Sequence, residues 1–131
     1  MKRSAINPWP WSLQYGFNQG ELVEGHSRVL YCAGQTSIDG EGDPQHMGDI
    51  RRQITLALDN LEAVLHEADM TLANVVRLVV YTKDIDLMFQ NFDVICVRLG
   101  AAGVKPAQTL LGVACLAFPG LLVELEATAT A

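Results

Sequence analysis

The stretch from Asp49 to Ala68 contains neither glycine nor proline, and its apolar residues recur at spacings of three and four. Ile50, Ile54, Ala57, Leu58, Leu61, Leu65 and Ala68 fall on one face of a helix, while Arg51, Arg52, Asp59, Glu62 and Glu67 lie largely off it. A helix with a single apolar stripe must bury that stripe against a second layer. Asn74 to Tyr81, NVVRLVVY, supplies one. It is apolar on nearly both faces, the pattern of a strand inside a covered sheet.

The flanking segments extend this pairing into a domain. Phe17 to Val23 reads as a first strand, and Arg28 to Ala33 as a second that Gly34 ends. QTSIDGEGDPQHMG is a loop of turn formers. A second helix is expected over Asp86 to Leu99, with Met88, Phe92, Ile95, Cys96 and Leu99 as its stripe. Thr109 to Leu116 and Leu121 to Thr128 are the last strands, and AFPG between them suggests a hairpin. Residues 1–14, rich in proline and tryptophan, read as an irregular segment packed by Trp9 and Trp11. The order β-β-α-β-α-β-β describes one α+β domain over residues 1–131, a mixed sheet with two helices on one face. The other sheet face is apolar and needs cover, which another subunit can provide.

Composition excludes several partners. The chain of 131 residues carries a net charge of −6, and its longest basic run is Arg51-Arg52. Binding to nucleic acid or to an anionic membrane is not expected. Pro106 to Val123 is uncharged but carries Gln108, Gly112, Pro119 and Gly120, and reads as buried strands rather than a membrane span. Cys32, Cys96 and Cys115 form no CxxC pair and are odd in number, which points to free thiols in a reducing, cytoplasmic compartment. No apolar signal-peptide core follows the basic tip Lys2-Arg3. His26, His46 and His66 lack metal-ligand spacing, and there is no GxSxG turn or phosphate loop.

Polar residues on apolar strands mark the remaining candidates. Glu124 and Glu126 lie two apart in LLVELEATA and share a face. They form either a solvated edge or a carboxylate that orients water or a polar ligand. Gly34 allows a tight turn or a close ligand approach. Arg77 interrupts NVVRLVVY, either inside a subunit contact or lining a cleft. Gln108 sits in KPAQTLLGV without an evident structural duty.

YGFNQG, LYCAGQTSIDGEG, GDIRRQITLALDNLEAVLHEA, NVVRLVVYTKD, FQNFDV and KPAQTLLGVACLAFPGLLVELEATA together resemble the Rid family, also called the YjgF/YER057c/UK114 family. The resemblance runs from Tyr15 to Ala129. It implies a chorismate-mutase-like chain path and a homotrimer whose sheets form a barrel-like core. It also implies three intersubunit clefts for small molecules, and no cofactor. The best-known members hydrolyse enamines and imines such as 2-aminoacrylate to a keto acid and ammonia. In them an arginine after Pro-Ala holds the substrate carboxylate; here Pro106-Ala107 is followed by Gln108. An uncharged amide cannot replace that bidentate ion pair. Arg77 or Arg28 compensates if either reaches the cleft.

By the same resemblance, Phe17 stands where a tyrosine borders the cleft and Gly34 where a glycine backbone does. Asn91 matches the asparagine of the second helix, and Val94 replaces a tyrosine after it. Glu124 matches the glutamate that positions the attacking water, and is the catalytic candidate. The short AFPG turn places the chain in a branch distant from the best-studied enzymes. Two functions are then expected to compete. One is hydrolysis of a small C=N compound that lacks the usual carboxylate. The other is a non-enzymatic trimer that binds a small metabolite.

Overall fold

A computed structural model describes all residues, 1–131, as an α+β fold. The strands are β1 (Lys2–Ile6), β2 (Gly20–Glu24), β3 (Val29–Thr36), β4 (Val75–Thr82), β5 (Ala107–Gly112) and β6 (Val123–Thr130). The helices are α1 (Ile50–Glu67), α2 (Ile85–Gln90) and α3 (Asp93–Ala101), with 3-10 turns at Pro10–Tyr15 and Leu72–Asn74.

Helix α1 follows its sequence pattern. Asp49 caps it by accepting a hydrogen bond from the Arg52 amide. Ile50, Ile54, Ala57, Leu58, Leu61 and Leu65 are buried. The helix closes where Asp69 turns into the left-handed region, φ 55°, and the Met70 amide reaches back to the Leu65 carbonyl. One buried residue on α1 is polar. Gln53 has 0% exposure and makes three hydrogen bonds, all to backbone. Its Nε2 donates to the carbonyls of His46 and Gly120, and its Oε1 accepts from the Leu122 amide.

The main sheet has the order β3-β6-β4-β5. β4 and β5 are parallel, whereas β6 runs antiparallel to both β3 and β4. On β6, Val123, Leu125, Ala127 and Ala129 are buried towards the helices. Their register partners Leu78 and Val80 on β4 belong to the same core. The opposite face carries Tyr31, Arg77, Val79, Tyr81, Leu111, Glu124 and Glu126 and is largely open in one chain, with Val79 alone of these buried. Tyr31 is 80% exposed and Leu111 46%.

Several sequence expectations are corrected. Residues 1–14 are not irregular: β1 pairs antiparallel with β2 in a separate ribbon, from Lys2↔Glu24 to Ile6↔Gly20. Strand β2 starts at Gly20 rather than at Phe17, because the chain first closes a 3-10 turn with Gly16 left-handed at φ 81°. Strand β3 does not end at Gly34 but continues to Thr36 through a bulge between Cys32 and Gln35. The second helix is broken, because the Asn91 side chain bonds the Leu87 carbonyl and its φ of −123° leaves the helical range. AFPG closes no hairpin: β5 and β6 never pair, since β4 lies between them. An extended strand apolar on both faces is best placed centrally, and β4 takes that position.

Candidate functional site

The sheet order distributes the candidate residues. Alternation puts Gln108 and Leu110 of β5 on the helix side, level with Leu78 and Val80. There they close a cavity of about 500 Å³ with Trp11, Gln14, Tyr15, Phe17, Phe89, Phe92 and Cys96. The 3-10 turn supplies one aromatic wall. Trp11 meets Tyr15 and Phe17 edge-on, with ring centroids 6.4 Å and 5.9 Å apart. Helices α2 and α3 supply the other wall through Phe89, Phe92 and Cys96.

Gln14 and Gln108 are the two polar residues that line this cavity. Gln108 Nε2 points at the Gly16 carbonyl, 3.4 Å away. Its Oε1 is buried with no donor. No lining residue is charged. Cys96 is a poor nucleophile here: burial pushes its thiol up, Asp93 adds to the shift, and its sulfur contacts the Tyr15 carbonyl at 3.5 Å.

Glu124 lies elsewhere, on the open sheet face, two strands from Gln108. Gln108 is level with Leu78 and Glu124 with Tyr81, so the two backbone positions lie about 9–10 Å apart across the sheet and about 10 Å apart along it, with side chains on opposite faces. The Glu124 carboxylate rests against Gly34, where a methyl group would overlap it. Glycine at position 34 therefore makes room for the Glu124 carboxylate rather than serving a turn. Exchanging Gly34 for Ala is expected to evict the flexible Glu124 carboxylate while costing under about 1 kcal/mol of stability. Thermal unfolding alongside the catalytic assay described below checks both halves of this expectation.

The other candidates separate. Arg77 stays on the open face and donates to Thr109 Oγ1 at 3.1 Å, away from the Gln108 cavity. Tyr81 on the same face donates to Glu126 at 3.2 Å, and its hydroxyl is pushed up by desolvation and by the Glu126 carboxylate. Arg28 caps the end of α1 through the Ala68 carbonyl at 2.8 Å. Neither arginine replaces the missing clamp within one chain. Asn91 accepts from Arg51 at 3.2 Å and bonds Leu87, so its side chain serves the α2–α3 break. Val94 packs on the core and lines a groove between α1 and α3 instead. That groove holds charges already paired, Arg51 with Asp93 at 2.8 Å and Arg98 with Asp59 and Glu62.

Of the expected site residues, then, Phe17 and Gln108 share a cavity, Gly34 and Glu124 share a second locus, and Arg77, Asn91 and Val94 join neither. Trp11, Tyr15, Phe89, Phe92, Cys96 and Leu110 were not among the expected site residues. The sequence signal for Trp11 and Tyr15 was the density of aromatic residues in PWPWSLQYGF, whereas Phe92 and Cys96 were read only as part of the second helix's apolar stripe. No cluster of three or more His, Cys, Asp or Glu side chains is placed to hold a metal ion. No helix is long and apolar enough to cross a membrane.

A small α+β subunit with one helix-covered and one bare sheet face has many solved counterparts. YyfB of Yersinia pestis, described as a protein of unknown function of the conserved Rid protein family, is 36% identical. It superposes with a TM-score of 0.86 over 100% of both chains. Rv2704 of Mycobacterium tuberculosis, a YjgF/YER057c/UK114 family member, is 28% identical over 99% of this chain and 100% of its own, with a TM-score of 0.67. A RutC family protein of Pyrococcus abyssi is 34% identical over 76% of each chain. The family profile described as Endoribonuclease L-PSP matches residues 15–131. The chain therefore belongs to the Rid (YjgF/YER057c/UK114) family.

Proposed function

We propose that the protein is a cofactor-independent hydrolase of small imines or enamines, acting in a cleft that two copies of the chain complete. The observation that supports this most is the split of the site. The Gln108 cavity and the Gly34–Glu124 locus occupy opposite faces of one sheet, so only a neighbouring copy can bring them together. The bare sheet face offers the surface for that contact, and the family resemblance supports a homotrimer.

In this reading the substrate enters the cavity of one copy, where Gln108 and Phe17 orient it. The partner's Glu124 aligns a water molecule against the C=N carbon. The water oxygen bonds to carbon, the C=N π pair moves to nitrogen, and Glu124 takes the water proton. Glu124 delivers that proton to nitrogen, giving a carbinolamine; it then takes the hydroxyl proton as the C=O bond forms and passes it to nitrogen as the C–N bond breaks, leaving a carbonyl product and ammonia. The lining carries no cation to hold a carboxylate, so the substrate is uncharged at the Gln108 end. The family description Endoribonuclease L-PSP points to RNA cleavage instead. A net charge of −6 without a basic cluster disfavours that substrate.

The test is ammonia release on mixing the protein with enzymatically generated 2-aminoacrylate and, separately, with an uncharged imine. Faster release from the uncharged imine is the expected result. Discrimination against the carboxylate should be at least about thirtyfold, the worth of roughly 2 kcal/mol of unmade ion pairing. No acceleration of either reaction overturns hydrolysis and leaves the metabolite-binding trimer.

A further inference from the structure

We infer that the side-chain network Arg3–Glu21–Asn18–Asn7 is a positioning device for the aromatic wall of the Gln108 cavity, and through that wall sets substrate affinity. This deepens the hydrolase reading and rests on it for what the cavity holds. Four of the nine lining residues, Trp11, Gln14, Tyr15 and Phe17, come from one loop. Strands β1 and β2 pair up to Ile6↔Gly20, so residues 7–19 leave the ribbon and return to it at neighbouring points. A compact loop with closely spaced ends must be held at its neck. Within the subunit its apolar side chains do little of this: of residues 8–17, only Ser12 is buried.

Polar groups hold the neck instead. Asn7 Nδ2 donates to Asn18 Oδ1 at 2.9 Å, and Asn7 Oδ1 accepts from the Gln19 amide at 2.7 Å. One side chain thus clasps both ends of the loop. Asn18, 8% exposed, donates in turn to Glu21 at 3.0 Å. The Glu21 side chain is 5% exposed and takes two bonds from Arg3. Arg3 also donates to the carbonyl of Ala73, at 2.7 Å, and to that of Val75 where β4 begins. The guanidinium therefore ties the ribbon to the main sheet. The Asn18 amide donates to the Lys105 carbonyl at 3.2 Å, and Asn18 bridges Ala107. The chain neighbours of that bridge are Phe17 and Gln108, which both line the cavity. Arg3, Asn7 and Glu21 line no part of it and act through the loop. Apolar residues of similar volume stabilise a fold as well as a buried ion pair does, whereas a satisfied polar network fixes one geometry.

Amide hydrogen exchange and imine kinetics on the assembled protein test this with R3M, N7A and the double variant R3M/E21M. In R3M and N7A, exchange over residues 8–18 should quicken at least about tenfold while α1 keeps its protection. KM for the uncharged imine should rise about tenfold, the worth of displaced aromatic packing, with kcat within about twofold. R3M/E21M no longer buries an unpaired carboxylate. It should regain the thermal stability that R3M loses, yet keep the fast loop exchange and the raised KM. Unchanged loop exchange in either single variant overturns the inference and assigns the hold on the loop to the neighbouring copy. A double variant that regains loop protection and KM together with stability overturns it too, since the network is then ordinary packing. Faster loop exchange with an unchanged KM likewise overturns it. If R3M fails to fold, N7A, which leaves the ion pair intact, decides by the same readouts. A wild-type protein inactive on every imine overturns the hydrolase reading alone, and loop exchange still decides the positioning role.

Discussion

Exchanging Glu124 for glutamine lowers ammonia release from an uncharged imine by about 10²- to 10⁴-fold, the usual worth of a positioned general base. Glutamine keeps the volume that rests against Gly34, so the fold and the cavity on the other sheet face are left as they were. The loss should fall on kcat, with substrate affinity little changed, because Glu124 lines no part of the Gln108 cavity. A second chain makes the expectation sharper. Gln108→Trp fills the cavity and is inactive on its own account. Neither variant alone supports turnover, but the two mixed and reassembled should recover roughly a quarter of the wild-type rate, the fraction of interfaces pairing two intact halves in a random closed assembly. Steady-state kinetics on the mixture checks this. No recovery after verified subunit exchange would place both halves in one chain and end the shared-cleft reading.

The largest effect on stability is expected at Gln53. Exchange for alanine removes three hydrogen bonds to backbone at a site with 0% exposure. The amide of Leu122 and the carbonyls of His46 and Gly120 then lose their partners, and a cavity opens beneath β6. Unpaired buried polar groups cost about 1–3 kcal/mol each. Even with water entering the gap, a loss of about 3–5 kcal/mol is expected. Thermal unfolding should show a Tm lower by roughly 10 °C or more. Leu58→Ala in the same helix is the comparison, a loss of about 2–5 kcal/mol from volume alone. Q53A should also accelerate amide hydrogen exchange at Leu122, and L58A should not.

How far the sequence reached depended on whether a property is local. The stripe of α1 and the buried character of β4 are local periodicities, and both are present as read. The shared face of Glu124 and Glu126 follows from alternation along one strand. Pairing is not local. Nothing in Thr109–Leu116 or Leu121–Thr128 says that β4 runs between them, so a turn sequence was mistaken for a hairpin. The same blindness hid the geometry of the site. Gln108 and Glu124 were each singled out on chemistry, but their opposite faces depend on strand order. The cavity walls come from the 3-10 turn and from α2–α3, distant segments whose aromatic residues carry no periodic mark of their meeting. The helix break at Asn91 turns on one side-chain bond to Leu87, which no hydrophobic pattern records.

The clamp on residues 120–122 has a further consequence. Gln53 grips this segment from below, and Thr82 Oγ1 and the Lys83 amide hold the Leu122 carbonyl at 2.8 Å and 3.3 Å. The chain is thereby anchored just before β6 begins. Whatever length or composition the preceding stretch from Val113 to Pro119 takes, the reading frame of β6 is reset before Glu124 is reached. Insertions there should leave the carboxylate where it stands, so this stretch is open to directed variation without displacing Glu124.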